Sequence, residues 1–339
     1  MAETLNWVMI GTGRVNQQMA NGVTGASGAA LHGVLSRDVE KARRFAEEHA
    51  AARTYQTLDE LVDDADVDVV YVASPNSLHR EHVLAAAAAS KHVLCEKPMA
   101  NDVQSALDMI TACAAAGVEF GIAFQYRQHA AHRTVRELVT SGAIGEAVFA
   151  DAAVHVPPLP IPAWYSKDGG AGGGVVPMAG VHRIDLLRFV LDAEIQEVSA
   201  FVKTRAPDRP FEDTVTALLK FDNGAMATVR FALDVVSAGD GVAVQGSRGW
   251  ANAVRTTSQW WADDGGELTV SVNGEKSSRL FPLMDLYRSQ VEEFNRAVNG
   301  EGRFSASAVD GLRSVEAALA IFESAKCGRS VHVTHAVAN

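Results

Sequence analysis

The chain has 339 residues, of which 47% are hydrophobic and 21% are charged. A chain of this length is long for one hydrophobic core, so two domains are expected, and the composition is that of a globular protein rather than a disordered one. The formal net charge of −11 argues against nucleic acid or an anionic membrane as a partner, because both require clustered positive charge.

Targeting signals and cysteines narrow the class further. No apolar run reaches the roughly 18–20 residues that span a bilayer, and the start of the chain lacks the basic and apolar layout of a secretion signal. The three cysteines, Cys95, Cys113 and Cys327, show neither disulfide nor metal spacing. We therefore expect a cytoplasmic protein that holds no metal and acts on a small molecule.

The first 124 residues alternate two kinds of segment. Short apolar runs lie at residues 7–10, 30–35, 67–73, 92–95 and 118–124, and segments with helical spacing lie between them at 39–49, 78–89 and 103–116. Valine-rich strands that alternate with helices predict a doubly wound parallel sheet, covered on both faces. Residues 1–124 are therefore expected to form one α/β domain.

The pattern changes in residues 125–339, which we expect to form a second, α+β domain. Helices are predicted at residues 130–140 and 181–191, on either side of a loop at 156–174 that is rich in proline and glycine. Strands and turns fill residues 195–254, and Asn223-Gly224 between two alternating runs is a strong hairpin signal. ELTVSVNGEKSSRLF predicts a second hairpin, and helices at 284–298 and 307–326 close the chain.

A glycine-rich turn follows the first predicted strand and opens a predicted helix. Its residues are Gly11, Thr12, Gly13, Arg14, Val15 and Asn16. Glycines allow the backbone to turn tightly and to approach a pyrophosphate, which the helix N-terminus stabilises. The position of the usual third glycine or alanine holds Asn16, so the motif is degraded, but its place in a βαβ pattern supports a dinucleotide site of the Rossmann type. The alternative is a simple strand-to-helix turn.

The end of the second predicted strand bears on the choice of nucleotide. An NAD site usually has an acidic residue there, to bind the ribose hydroxyls. This chain has Ser36 and Arg37, with Lys41 one helical turn further on, and these residues would accept a 2′-phosphate. We expect NADP rather than NAD; the alternative is that Arg37 and Lys41 are only solvated charges at a helix start.

Two further motifs contain side chains suited to chemistry. Cys95-Glu96-Lys97-Pro98 ends the fourth apolar run, and ligands of open α/β sheets lie at the carboxyl ends of strands. The second motif is the glycine run at 172–174 followed by a predicted helix that holds His182 and Asp185 on one face. The structural alternatives are a surface lysine–glutamate pair and a packed histidine.

Taken together, these motifs resemble those of the Gfo/Idh/MocA family, the group of glucose–fructose oxidoreductase and inositol dehydrogenase. The shared segments are GTGRVN at the start, SPNSLH at 74–79, EKP at 96–98, FQYR at 124–127, GGG to GVHRID at 172–185, and FEDTVTALLKFDNGA at 211–225. Six ordered motifs along most of the chain are far more specific than any one of them.

The resemblance implies a Rossmann domain followed by an α+β domain with a large, mostly antiparallel open sheet, through which members often form dimers or tetramers. It implies NAD(P)-dependent hydride transfer to or from a hydroxyl or carbonyl carbon of a sugar, cyclitol or related polyol. Lys97 and His182 match the catalytic residues near the reacting oxygen, with Glu96 beside the cofactor. Ser74, Asn76 and His79 match the segment on the nicotinamide side; Tyr126, Arg127 and Trp164 match residues near the substrate.

One position departs from the family pattern. The family usually has aspartate four residues before the histidine, and this chain has Met178. We expect Asp185 to lie beside the substrate and to assist His182 instead, and Met178 to lie beside the substrate and desolvate Lys97. In the proposed mechanism Lys97 or His182 removes the hydroxyl proton as hydride leaves. Two alternatives stay open on this scaffold: a non-catalytic NAD(P)-binding sensor, which Met178 favours, and an NAD-dependent glycosidase.

Overall fold

The computed structural model describes residues 3–161, 165, 171–236, 240–256 and 265–336. The chain forms two compact units. Unit 1 contains the chain up to Gln125 together with Asp285–Leu312, and unit 2 contains Tyr126–Met284 and Arg313–Ala336. Within the described residues, no helix is long and apolar enough to cross a membrane.

Unit 1 is built on a six-stranded sheet in the order β3-β2-β1-β4-β5-β6. The strands are β1 (Leu5–Ile10), β2 (Ala29–Leu35), β3 (Arg53–Tyr55), β4 (Val69–Val72), β5 (His92–Cys95) and β6 (Phe120–Ile122). Every pairing is parallel. The order reverses between β1 and β4, which creates the switch point where doubly wound sheets bind ligands. The predicted Rossmann fold is confirmed.

Five helices connect these strands. They are α1 (Arg14–Gly25), α2 (Val39–Glu48), α3 (Leu58–Val62), α4 (His79–Ala88) and α5 (Val103–Ala116). All but α3 lie where the sequence pattern predicts a helix. The side chains of Asp38, Thr57 and Asp102 cap the first turns of α2, α3 and α5 by accepting backbone N–H bonds. No side chain caps α1.

Residues 285–312 lie in unit 1, although the sequence analysis assigns them to the second domain. Helix α8 (Leu286–Val298) packs on α1, and a methyl group at Gly22 would lie only 2.8 Å from Cβ of Tyr287. The buried Trp7 indole donates to Asn295 Oδ1 at 3.0 Å, and its ring meets Phe294 edge-on at 5.6 Å. The helix therefore buries its apolar face against the first strand and helix of the chain.

Unit 2 is built on a nine-stranded sheet in the order β14-β13-β12-β11-β7-β10-β9-β8-β15. The strands are β7 (Ala147–Val156), β8 (Ile195–Lys203), β9 (Thr214–Phe221), β10 (Met226–Leu233), β11 (Gly241–Gly246), β12 (Gly249–Val254), β13 (Glu267–Val272), β14 (Glu275–Leu280) and β15 (Val331–His332). All pairings are antiparallel except that of β7 with β10. The predicted large, mostly antiparallel sheet is confirmed.

Both predicted hairpins form where the Asn-Gly dipeptides lie. Gly224 takes a φ of +88° between β9 and β10, and Asn273 and Gly274 take positive φ between β13 and β14. Helices α6 (Ala130–Thr140), α7 (Val181–Leu191) and the part of α9 (Ala308–Cys327) that belongs to unit 2 complete its secondary structure. Alternate residues of β9 are buried, so this sheet has one face in the core and one face exposed.

Candidate active site

The glycine turn after β1 leaves space where a phosphate would bind. Gly11 takes a φ of +109°, and a methyl group there would lie 2.9 Å from the Ala73 carbonyl oxygen, so only glycine fits this turn. At Gly13, in contrast, a methyl group would meet no atom within 4 Å. Gly13 is the N-cap of α1, whose first turn contains no acidic residue. The open helix N-terminus suits an anionic group.

Asn16 occupies the position of the expected third glycine, and its side chain is completely buried. Among the described residues, neither its amide nitrogen nor its amide oxygen has a hydrogen-bond partner. Nδ2 would lie only 2.9 Å from a methyl group at Gly11, so the amide packs directly against the turn. Buried polar atoms without partners are costly, so an amide left in this state beside the open turn is consistent with a site completed by a ligand.

Two of the three residues that we expect to bind a 2′-phosphate lie in the loop after β2, and their surroundings suit that role. Ser36 is half-buried and accepts a hydrogen bond from Asp38 N–H at 3.2 Å, and Arg37 is exposed. Within the described chain, Arg37 makes no salt bridge. Lys41 differs, because its ammonium lies 3.5 Å from the Asp38 carboxylate. The pKa of Asp38 is lowered chiefly by the backbone N–H of Lys41. Part of the charge of Lys41 is therefore balanced.

The loops after β4 and β5 are joined by His79. Its ring is completely buried; Nδ1 lies 3.1 Å from the Pro98 carbonyl oxygen, and Nε2 lies 3.0 Å from the Ser74 carbonyl oxygen. Burial lowers the pKa of His79 to about 4, and backbone hydrogen bonds offset only part of that effect. The neutral ring donates its single N–H to one of these carbonyl oxygens and packs against the other loop, so His79 lies between the two loops. Asn76 is also buried, and the Ser74 hydroxyl lies 2.9 Å from His82 Nδ1.

Lys97 is half-buried just beyond the end of β5, and the Glu96 carboxylate anchors its backbone. Glu96 Oε1 accepts a hydrogen bond from the Tyr71 hydroxyl at 2.6 Å, and Oε2 accepts one from Lys97 N–H at 3.1 Å. Burial raises the pKa of Glu96, and the charge of Lys97 opposes that shift. We expected Glu96 beside the cofactor; the structure buries its carboxylate against Tyr71.

In unit 2, the glycine run leads through a π-helical turn (Val176–Gly180) directly into α7. Glu212 fixes its start: one carboxylate oxygen accepts Gly174 N–H at 2.7 Å, and the other accepts Val176 N–H at 3.0 Å. A methyl group at Gly174 would lie 1.9 Å from the Glu212 carbonyl oxygen, so this close approach requires glycine. The segment that carries Met178 and His182 is therefore held at its first residues.

The ring of Tyr126 lies between the side chains of two successive residues of α7. His182 meets the ring edge-on with centroids 4.9 Å apart, and the Arg183 guanidinium lies 5.1 Å from its centroid. Arg183 is buried, donates to the Ala153 carbonyl oxygen at 2.8 Å and lies 3.9 Å from the Asp240 carboxylate. Tyr126 therefore packs against His182, and the buried cation beside it fixes the ring.

Arg127 and Asp185 form a buried ion pair with each other. Arg127 Nε donates to Asp185 Oδ2 at 2.9 Å, and Nη2 donates to Oδ1 at 2.5 Å. Arg188 Nη1 lies 3.5 Å from the same carboxylate. The Asp185 carboxylate, which we expected to assist His182, is therefore bound by two guanidinium groups. Through this ion pair, Arg127 also links the backbone next to Tyr126 to α7. Met178 is half-buried against the core of unit 2, and Trp164 lies outside the described residues.

Sequence reasoning missed Tyr71, Glu212 and Arg183. Tyr71 lies inside an apolar strand run, where nothing distinguishes a packed tyrosine from one that binds a carboxylate. Glu212 lies in the FEDT segment that the family resemblance already included, so its position was available although its partners were not. Arg183 lies beside His182, and only its burial reveals its role.

With this geometry described, the chain can be compared with known proteins. Residues 5–124 match the family model described as "Oxidoreductase family, NAD-binding Rossmann fold", and residues 132–252 match the "GFO/IDH/MocA C-terminal domain". The 1,5-anhydro-D-fructose reductase of Ensifer adhaerens is 33% identical over 331 residues, which cover 96% of this chain and 98% of that protein. The chain belongs to the Gfo/Idh/MocA family. It is an NAD(P)-binding oxidoreductase.

Solved structures of other oxidoreductases resemble this Gfo/Idh/MocA protein along nearly its whole length. The aldose–aldose oxidoreductase of Caulobacter crescentus, complexed with glycerol, is 28% identical with a TM-score of 0.89, over 97% of this chain and all of that one. A levoglucosan dehydrogenase in complex with NADH has the same TM-score over 98% of this chain and all of its own, at 22% identity, which supports the fold alone.

The open space at Gly13 predicts that a side chain there would obstruct nucleotide binding, and Gly11 provides a matched control. Gly13→Ala should fold normally, because its backbone (φ −72°, ψ 177°) accepts alanine, but it should weaken nucleotide binding at least about tenfold, or about 1.4 kcal/mol, because the methyl group would enter the space expected for a phosphate. Gly11→Ala should instead lower the melting temperature, since the turn itself is strained. Calorimetric titration and thermal unfolding of both variants test this; native affinity in Gly13→Ala would contradict it.

Proposed function

We propose that the protein is an NADP-dependent dehydrogenase or reductase that acts in the cytoplasm on a hydroxyl or carbonyl carbon of a sugar, cyclitol or related polyol. The observation that carries this proposal is the 33% identity, along 96% of the chain, with a reductase of 1,5-anhydro-D-fructose. The free thiols of Cys95 and Cys113, both buried, fit a reducing compartment. Calorimetric titration with NADPH and NADH, then an absorbance screen of polyols and keto-sugars, tests it.

The proton chemistry falls to Lys97 and His182. A bound nicotinamide supplies the hydride acceptor or donor. In the oxidation direction, the uncharged amine of Lys97 takes the hydroxyl proton from the substrate, and His182 binds the same oxygen. In the reduction direction the Lys97 ammonium returns that proton to the carbonyl oxygen. The Glu96 carboxylate holds the backbone of Lys97, and the Tyr126 ring packs against the His182 ring, so both residues are held in place before the substrate binds.

Lys97→Met tests this assignment. The variant should lose about 10²- to 10⁴-fold in kcat, the usual contribution of positioned proton transfer, and keep its affinity for the nucleotide. Lys326→Met, at an exposed lysine of α9, is the control and should match the parent enzyme in both properties. If Lys97→Met turned over the true substrate at a near-native kcat, Lys97 would not be the proton-transferring group.

The preference for NADP rests on Ser36 and Arg37. A neutral hydroxyl and an exposed guanidinium next to the end of β2 favour a 2′-phosphate, where a carboxylate would repel it. Asp38 does not take the ribose-binding position of an NAD site, because its carboxylate accepts the Lys41 N–H and caps α2. Lys41 contributes less than Arg37 to phosphate binding, since the same carboxylate neutralises part of its charge.

Three variants separate these contributions. Ser36→Asp should weaken NADPH binding at least about tenfold and leave NADH binding equal or tighter, because the new carboxylate repels phosphate but accepts ribose hydroxyls. Arg37→Gln should weaken NADPH alone. Lys41→Gln is the matched control and should change NADPH affinity less than Arg37→Gln. Titration of both nucleotides into each variant measures this, and equal NADPH and NADH affinities in the parent protein would refute the preference.

We further propose that the protein forms a homodimer or homotetramer through the exposed face of the unit 2 sheet. Four large apolar side chains are exposed there: Phe201 by 81%, Leu218 by 59%, Phe149 by 51% and Met226 by 49%. Strand register places Met226 beside Phe149 and Leu218 beside Ser199. Ser199 lies two residues before Phe201 on β8. Contiguous apolar surface of this kind is uncommon on a monomer, and a second copy would bury it.

Sedimentation velocity tests this assembly. The native protein should sediment as a dimer or tetramer, and the Phe201→Glu/Leu218→Glu double variant should sediment as a monomer with an unchanged circular dichroism spectrum, because buried carboxylates disfavour the interface. Leu283→Glu is the control, since Leu283 is 71% exposed and lies outside the strands. A monomeric native protein, or an assembled double variant, would reject the interface.

A further inference from the structure

The buried carboxylate of Glu96 contacts the backbone of Lys97, the lysine that transfers the proton in the proposed function. Glu96 follows β5, and Tyr71 lies in the adjacent central strand β4 with its side chain fully buried. The Tyr71 hydroxyl donates to Glu96 Oε1 at 2.6 Å, and Lys97 N–H donates to Oε2 at 3.1 Å. The backbone N–H of Glu96 donates to the Val72 carbonyl oxygen at 2.8 Å. Both carboxylate oxygens are therefore held inside unit 1.

Such a carboxylate needs a compensating charge. Burial raises the pKa of Glu96, and the charge of Lys97, followed by hydrogen bonds from Tyr71 and the Lys97 N–H, lowers it. Electrostatic coupling is reciprocal: if the Lys97 ammonium stabilises the Glu96 carboxylate, the carboxylate stabilises the ammonium to the same extent. The proton affinity of Lys97 therefore depends on Glu96.

Three titratable side chains around this pair, those of Tyr71, Cys95 and His79, are uncharged near neutral pH. Burial raises the pKa of Tyr71 and of Cys95 well above their usual values, and Tyr287 of α8 faces Tyr71. His79 contacts the carbonyl oxygens of Pro98 and Met99, and its pKa of about 4 keeps it neutral. The Glu96 carboxylate is thus the charge in direct contact with the backbone of Lys97.

We propose that Glu96 is a positioning residue that holds Lys97 in place and sets the pH at which this lysine exchanges its proton, and that Tyr71 fixes the Glu96 carboxylate for this purpose. This inference rests on the proposed role of Lys97 and replaces the expected role of Glu96 as a cofactor contact. The carboxylate itself transfers no proton to the substrate. The proton of the substrate hydroxyl goes to Lys97 Nζ, and the negative charge of Glu96 stabilises the resulting ammonium.

Two near-isosteric variants separate charge from position. Glu96→Gln removes the charge, whereas its amide still accepts the Lys97 N–H and reaches the Tyr71 oxygen. Tyr71→Phe keeps the charge and removes one hydrogen bond that orients it. Loss of the negative charge removes an interaction that favours the ammonium form, so Glu96→Gln should lower the pKa of Lys97. Tyr71→Phe should shift it by less than half as much while lowering kcat more than it changes KM.

The pKa of Lys97 can be measured without turnover. Lysines of the intact protein are reductively methylated with ¹³C-formaldehyde, and the resonance that Lys97→Met removes is followed by NMR across a pH titration. Glu293→Gln is the matched control, because Glu293 is another buried carboxylate of unit 1 and binds Ser305. It should leave the titration of Lys97 unchanged. In kinetics of the oxidation direction, the acid limb of kcat/KM should move to lower pH in Glu96→Gln by the same amount.

The outcomes distinguish this inference from the proposed function. A lower Lys97 pKa in Glu96→Gln, with the native value in Glu293→Gln, supports it even if no polyol is turned over. An unchanged or higher Lys97 pKa in Glu96→Gln overturns it even if polyol oxidation is established. An equal shift in Tyr71→Phe and Glu96→Gln would overturn the separation of charge from position.

Discussion

Parallel pairing of β1 with β2 and β4 is the constraint on which the nucleotide half of the site depends. Parallel strands end at the same edge of a sheet, so the glycine turn after β1, Ser36 after β2 and Ser74 after β4 follow neighbouring strand ends. The order reverses between β1 and β4, which opens a crevice above the first turn of α1. Gly13 provides no capping side chain at that turn, and a helix N-terminus of this kind favours a phosphate.

The periodic part of the fold could be predicted from the sequence, and its long-range part could not. Apolar runs identified five of the six parallel strands and missed the short β3, and the Asn223-Gly224 and Asn273-Gly274 dipeptides identified two hairpins, because these signals are local. Helix α8 was predicted as a helix and included in the second domain, whereas the structure places it in unit 1. Amphipathic spacing shows that one face is buried and does not show against what; here the partner is Trp7, 288 residues away from Asn295.

For polar residues near the motifs, too, the sequence identifies the residue but not its partner. The family resemblance places His79, Glu96, Arg127 and Asp185 near the cofactor or the substrate, and in the structure each of them also binds other parts of the protein. The identity of a polar residue does not show whether it contacts a substrate or a neighbouring loop. The partner of Arg127, for example, is 58 residues away in the chain. Burying such groups is tolerable only when they are paired, so their role is to fix the residues beside them.

Such contacts within the protein explain how the proposed site can lack a carboxylate at position 178, where this chain has Met178. A histidine needs a fixed orientation to act on one oxygen, and a carboxylate is one of several ways to provide it. In unit 2 the ring of Tyr126 supports His182, and buried Arg183 and the Arg127–Asp185 pair hold Tyr126 to α7. In unit 1 Lys97 retains a carboxylate neighbour in Glu96. In the proposed mechanism, the charge that governs proton exchange thus belongs with the lysine, and packing orients the histidine.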